Sequence, residues 1–173
     1  MFGLFKKKNP YEQAVHEVYA EALENTRKKE FYTEYGVPDT FDGRFDLLLL
    51  HIFMILNRML KDSPVNAESF NQALFDETFK DMDQTLREMG IGDMGVPKHM
   101  RKMMKAFNGR MHGYQYAIKE NTLSFALKNN LYGTAPETDP AVILKMEQKV
   151  LEMEKVLQKQ DVSDIMSGKI NFE

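Results

Sequence analysis

The side chains able to do chemistry are plentiful but unevenly placed. The chain carries four histidines, 26 acidic and 23 basic residues, and no cysteine. Without cysteine there is no disulfide, no thiol nucleophile and no thiolate ligation of zinc or iron–sulfur clusters. That composition fits a reducing compartment. The densest group of cations lies between Lys98 and Arg110. At 100° per residue, Lys98, Arg101, Lys102 and Lys105 fall within an arc of ~100°, and His112 falls inside it. No acidic residue lies between Asp93 and Glu120, and Met100, Met103, Met104, Phe107, Met111 and Tyr114 take the opposite side. Such a basic amphipathic helix is a surface for anionic lipid, RNA phosphates or an acidic partner. The plainer alternative is a solvated face over an ordinary core stripe. Methionine adapts to varied apolar partners. The candidate partner- or membrane-binding residues are therefore Lys98, Arg101, Lys102, Lys105, Arg110, Met103, Met104 and Phe107. Gly109 and Gly113 stand on the same helix, where each costs roughly 1 kcal/mol relative to alanine. Close approach of a second helix, or a break near Asn108–Gly109, would offset that, and close packing is the expectation.

The preceding segment has the opposite sign. Asp76, Glu77, Asp81, Asp83, Glu88 and Asp93 outnumber Lys80 and Arg87 between residues 75 and 93. Asp76 and Asp83 share a helix face, and Asp83 with Arg87 has i,i+4 spacing. A metal would need further converging ligands, and no paired-histidine or H-x-x-E-H pattern supplies them. A solvated or ion-paired face is expected, with no metal and no cofactor. His51 interrupts an apolar run and reads as a hydrogen-bonded core residue. Arg44 follows Gly43 at a helix start, where the dipole does not favour a cation. A buried or semi-buried Arg44 with a specific carboxylate or carbonyl partner is expected, Asp39, Asp42 and Asp46 being the nearby candidates. No phosphate-binding loop, dinucleotide fingerprint or nucleophile elbow is present. The chain therefore reads as a non-enzyme, an enzyme built on His51 or His112 being the remote alternative.

The elements that must position these groups are all helical. Asn9–Pro10 starts a helix over 10–30, and Gly36 and Pro38 punctuate the break that follows. Asp42 is expected to cap a helix over 43–61, which Asp62–Ser63–Pro64 ends. Helices follow over 67–89 and 97–120, the latter continuing or bending through Leu131. Asp139–Pro140 starts a last one, to about 159. Its Ile143, Met146, Val150, Met153 and Leu157 span only about two heptads, too few for a coiled coil, so packing onto the bundle is expected. The fold class is all-α, a single-domain bundle of five to six main helices. It divides into a flexible basic and apolar segment (1–9), a helical domain (10–131) and a C-terminal helix with its tail (137–173).

Length and charge agree. With 173 residues, 43% hydrophobic and 28% charged, the chain suits one globular domain. A net charge of −3 gives no bias toward nucleic acid, and DNA is not an expected partner. The longest apolar run, Leu47–Leu56, is far shorter than the ~20 residues of a membrane span. Met1-Phe2-Gly3-Leu4-Phe5 precedes Lys6-Lys7-Lys8, the reverse of a secretory signal. No cleavage or secretion is expected. This segment could touch an anionic membrane surface, its alternative being a frayed terminus.

One ordered string of motifs stands out: Tyr35-Gly36-Val37-Pro38-Asp39-Thr40 through Gly43-Arg44-Phe45-Asp46, His51, Phe75-Asp76 with Phe79, and Asp81-Met82-Asp83. It continues with Leu86 to Asp93, Val96-Pro97-Lys98, and Met103 to Tyr114. Over about residues 10–130 it resembles the ubiquinol–cytochrome c chaperone family, the assembly factors of the cytochrome bc1 complex, with Arg44, His51, Asp76 and Asp83 among the matching positions. The resemblance implies a non-enzymatic helical protein of bacterial type, cytoplasmic and peripheral on the inner membrane, that binds newly made cytochrome b or bc1 assembly intermediates. A ribosome contact is implied by the mitochondrial relatives. The alternative is a soluble helical adaptor that binds a protein through its acidic face or C-terminal helix.

Overall fold

The computed structural model describes residues 9–61 and 67–173. The N-terminal basic and apolar segment and the Asp62–Ser63–Pro64 helix stop lie outside the described residues. Among the described residues there are eight helices and no strand. They are α1 (Glu12–Thr26), α2 (Glu30–Thr33), α3 (Phe41–Lys61), α4 (Ala67–Glu88), α5 (Val96–Lys119), α6 (Leu123–Asn130), α7 (Pro140–Lys159) and α8 (Val162–Met166). Two are single-turn pieces, and the other six are the main helices anticipated.

The apolar run builds the centre. Every residue from Phe45 to Ile55 is buried, and a helix apolar on all sides must be covered on all sides. Accordingly α3 packs against α1, α4, α5 and α7. Each leucine or isoleucine so buried contributes roughly 1.5–3 kcal/mol. The start of α3 differs from expectation. Thr40, not Asp42, caps it, its Oγ1 accepting from the Gly43 N–H at 3.1 Å. Asp42 lies inside the first turn, too far along to reach the free amides. Residue 43 must be glycine, because a side chain there would collide with the Pro38 carbonyl.

The expected helix over 10–30 is two helices. α1 stops at Thr26, whose hydroxyl donates back to the Leu23 carbonyl at 2.7 Å. The freed Thr26 carbonyl accepts from the Tyr32 hydroxyl at 2.7 Å. α5 ends rather than bends. Asn121 adopts a left-handed conformation (φ 56°), and the Thr122 N–H closes onto the Ala117 carbonyl at 2.8 Å, a standard helix-terminating turn. α6 then starts at Leu123. Asp139 caps α7 as anticipated, accepting from Ala141 N–H at 2.8 Å. Ile143, Met146, Val150, Met153 and Leu157 are all buried within the chain, with α7 seated on α3 and α6.

Candidate functional site

The basic segment forms the exposed side of α5. A glycine–proline start (Gly95 at the cap and Pro97 in the first turn) launches it without losing a needed N–H. Its 24 residues make a rod of about 36 Å. Lys98, Arg101, Lys102, Lys105 and His112 are exposed, as the periodicity required. Among the described residues, none of the four cations Lys98, Arg101, Lys102 and Lys105 has an ion-pair partner. Tyr116 is 65% exposed. It stands 18 residues after Lys98 and so directly in line with it, five helical turns on. Met94, just before the helix, is 96% exposed.

The opposite side of α5 corrects part of the expected site. Met103 and Phe107 are buried, Phe107 meeting the rings of Phe75 and Phe79 at 5.2 and 5.6 Å. Phe107 holds α5 onto α4, Met103 lies beside Phe41 and Phe45 of α3, and neither offers a surface to a partner. Met104 is half-buried against the same core. Arg110 is also not a free cation. Its Nη2 lies 2.7 Å from Asp46 Oδ1 on α3, and both side chains are largely buried. Burial raises the Asp46 carboxyl to about 6, more than Arg110 lowers it. Tyr114, one turn further along, is fully buried with its hydroxyl unpartnered among the described residues.

Neither expected reason for the α5 glycines holds. The helix runs unbroken through both. A side chain at Gly109 would meet nothing within 4 Å, and one at Gly113 only the Asn130 amide at 3.8 Å. Gly109 lines a shallow groove of about 580 Å³ with Lys102, Lys105, Ala106, Arg110 and Asn130. Asn130 reaches it from α6, a residue sequence reasoning missed because only the α5–α6 turn brings it close.

The acidic helix behaves differently. Asp83 holds Arg87 at 2.6 Å, and Arg87 also holds Asp93 at 2.6 Å. Asp76 accepts from Gln72 at 2.8 Å. Glu77 meets His16 at 2.9 Å, and Asp81 accepts from the Tyr19 hydroxyl at 2.7 Å. These acids are met within the molecule, whereas among the described residues the four exposed cations of α5 are not. Among the described residues no group of three His, Asp or Glu side chains could hold a metal ion. No helix among them is long and apolar enough to cross a membrane.

Arg44 and His51 have structural surroundings. Arg44 pairs with Asp39 at 2.6 Å as anticipated, yet its side chain is more than half exposed, because the cap geometry turns it outward beside Tyr32. His51 is fully buried. Its Nδ1 is 2.9 Å from the Leu47 carbonyl and its Nε2 3.0 Å from the Asn25 side-chain amide. Burial lowers its pKa to about 4, so the ring is neutral and has a single N–H. Both ring nitrogens face acceptors, the Leu47 carbonyl and the Asn25 Oδ1, and the single N–H donates to one of them. Phe31 and Phe172 pack edge-on against it at 5.5 and 5.1 Å.

Comparison with known proteins places this arrangement. The family model described as ubiquinol-cytochrome C chaperone matches residues 33–172. That span begins later than the expected residue 10 and runs through α7 and α8, beyond the expected limit of the resemblance near residue 130. Ubiquinol-cytochrome c reductase complex assembly factor 1 of Mus musculus is 28% identical over 158 residues, 90% of this chain and 53% of the relative. Protein CBP3, mitochondrial, of Saccharomyces cerevisiae is 26% identical over 151 residues, 83% of this chain and 44% of the relative. The chain thus spans about half the length of these curated relatives. The crystal structure of the Cbp3 homolog from Brucella abortus superposes with a TM-score of 0.81 at 35% identity, covering 94% of this chain and 90% of that one.

Proposed function

The chain belongs to the ubiquinol–cytochrome c chaperone family, and on that premise we propose that it is an assembly factor of the cytochrome bc1 complex, receiving newly made cytochrome b at the cytoplasmic surface of the inner membrane. The relatives' names support the assembly role. The observation that supports the membrane-surface placement is the exposed side of α5. Among the described residues, four cations without an ion-pair partner stand on one face of a rigid helix, whereas the acids of the neighbouring α4 at Asp76, Glu77, Asp81 and Asp83 are met within the molecule. A cation near an anionic leaflet contributes about 1 kcal/mol, so the four together give a docking term of a few kcal/mol that salt weakens. Docking holds the chaperone where an apolar client emerges, without a membrane span of its own. Ribosomal RNA offers the same face a different polyanion.

A charge reversal tests this reading. The variant Lys98→Glu, Arg101→Glu, Lys105→Glu leaves the buried Arg110–Asp46 pair intact and so keeps the fold. It is expected to move the protein from the membrane fraction to the supernatant and to lower bc1 complex in cells that depend on it. A variant that stays with the membrane and sustains normal bc1 levels would remove α5 from the mechanism.

A further inference from the structure

Gly109 is the least explained residue of the molecule. It sits mid-helix, where glycine weakens the helix, and no neighbour requires it. Glycine is also the residue that lets a ligand approach a backbone closely. Around it the structure gathers what an anion needs. Lys102 and Lys105 stand on the rim of the groove, Arg110 lines it, and Asn130 closes one side with its amide. No acidic residue lines this groove. Arg110 holds Asp46 through Nη2, and its Nε has no hydrogen-bond partner among the described residues.

We propose that the Gly109 groove is a seat for the phosphate of an anionic phospholipid headgroup. The ammonium groups of Lys102 and Lys105 flank the phosphodiester, the Asn130 amide donates to it, and the missing side chain at 109 lets it settle against the helix. Charge-assisted bonds of this kind are among the stronger ones. Lipid fits better than a nucleic-acid phosphate because apolar side chains bracket the same face. Tyr116 is 65% and Met94 96% exposed, and amphipathic and apolar side chains settle at the bilayer interface. The proposal rests on the reading of α5 as the membrane-facing surface.

The test uses Gly109→Ala in the full chain with vesicles of phosphatidylglycerol and phosphatidylcholine, read by co-sedimentation. Alanine is expected to raise Tm by roughly 2–4 °C, because it favours the helix and meets no neighbour. It is expected to weaken vesicle binding by roughly five- to tenfold, the scale of one impaired charge-assisted contact. A merely structural glycine would not move the two in opposite directions. Lys102→Gln should weaken binding similarly without the rise in Tm. Vesicle binding unchanged in both variants would overturn the proposal. So would displacement of the protein from vesicles by millimolar inorganic phosphate, which would make the groove a free-phosphate site. Retention on ribosomal RNA with no affinity for vesicles would likewise overturn it. Capture of cytochrome b from detergent-solubilised membranes reports on the chaperone reading separately. Gly109→Ala should capture it as the parent does, whereas loss of capture in the parent itself would fault that reading instead.

Discussion

Two buried titratable residues, Asp46 and His51, lie five apart on α3 and respond to acid with opposite signs. His51 takes up a proton in the fold only near pH 4, but in the unfolded chain near its ordinary 6.5. As pH falls from 7 to 5 the unfolded state binds the extra proton, and about 2 kcal/mol of stability is lost. Asp46 has its folded pKa raised to about 6. Over the same range the folded state takes up the proton first, which contributes about 1 kcal/mol. The wild-type protein is therefore expected to lose only about 1 kcal/mol from these two groups between pH 7 and 5. Asp46→Asn removes the compensating half. It should change stability little at pH 7, because the fold already favours the neutral form of this side chain, and its stability should then fall more steeply toward pH 5 than the parent's. Urea midpoints at the two pH values check both. A parallel pH response in variant and parent would contradict the assignment of Asp46.

The helices were largely legible in the sequence, and the exceptions have physical causes. The run Leu47–Ile55 could only be a buried helix. The 3.6-residue spacing placed Lys98, Arg101, Lys102 and Lys105 on the outer face of α5, where they stand. Local capping was harder to read. Thr40 and Asp42 are both good N-cap types, and only the approach of Gly43 to Pro38 decides between them. The early stop of α1 depends on a hydrogen bond from Tyr32, supplied by a turn not yet formed when the segment is read alone. The Arg110–Asp46 pair joins residues 64 positions apart, and no pattern marks a contact of that range. Pairing across helices also separates α4 from α5. Both looked charged and solvated in sequence, but Tyr19, His16 and Arg87 engage the acids of α4, whereas among the described residues the four exposed cations of α5 keep no such company. The triple charge reversal on α5 therefore belongs to this scale. It should leave Tm within a few degrees of the parent, because these side chains hold no ion-pair partner among the described residues, while release from the membrane is the expected effect.

At the scale of the whole molecule, one central helix carries α1, α4, α5 and α7 around it and leaves the cationic face of α5 outward. The tail completes the wrapping. Phe172 closes over His51, and Glu173 reaches Lys28 and Lys149. The C-terminal tail is thus held to the core, and α5 is presented as a rigid surface rather than a mobile arm. Under the proposed function, that surface serves the delivery of cytochrome b into the bc1 complex. The most direct test is a strain lacking this gene, examined by haem absorption spectra and native gels of its membranes. The account predicts loss of the cytochrome b signal and of the bc1 complex band, with terminal oxidases unchanged and recovery on re-expression of the chain. Membranes with bc1 complex and cytochrome b at parental levels would contradict it.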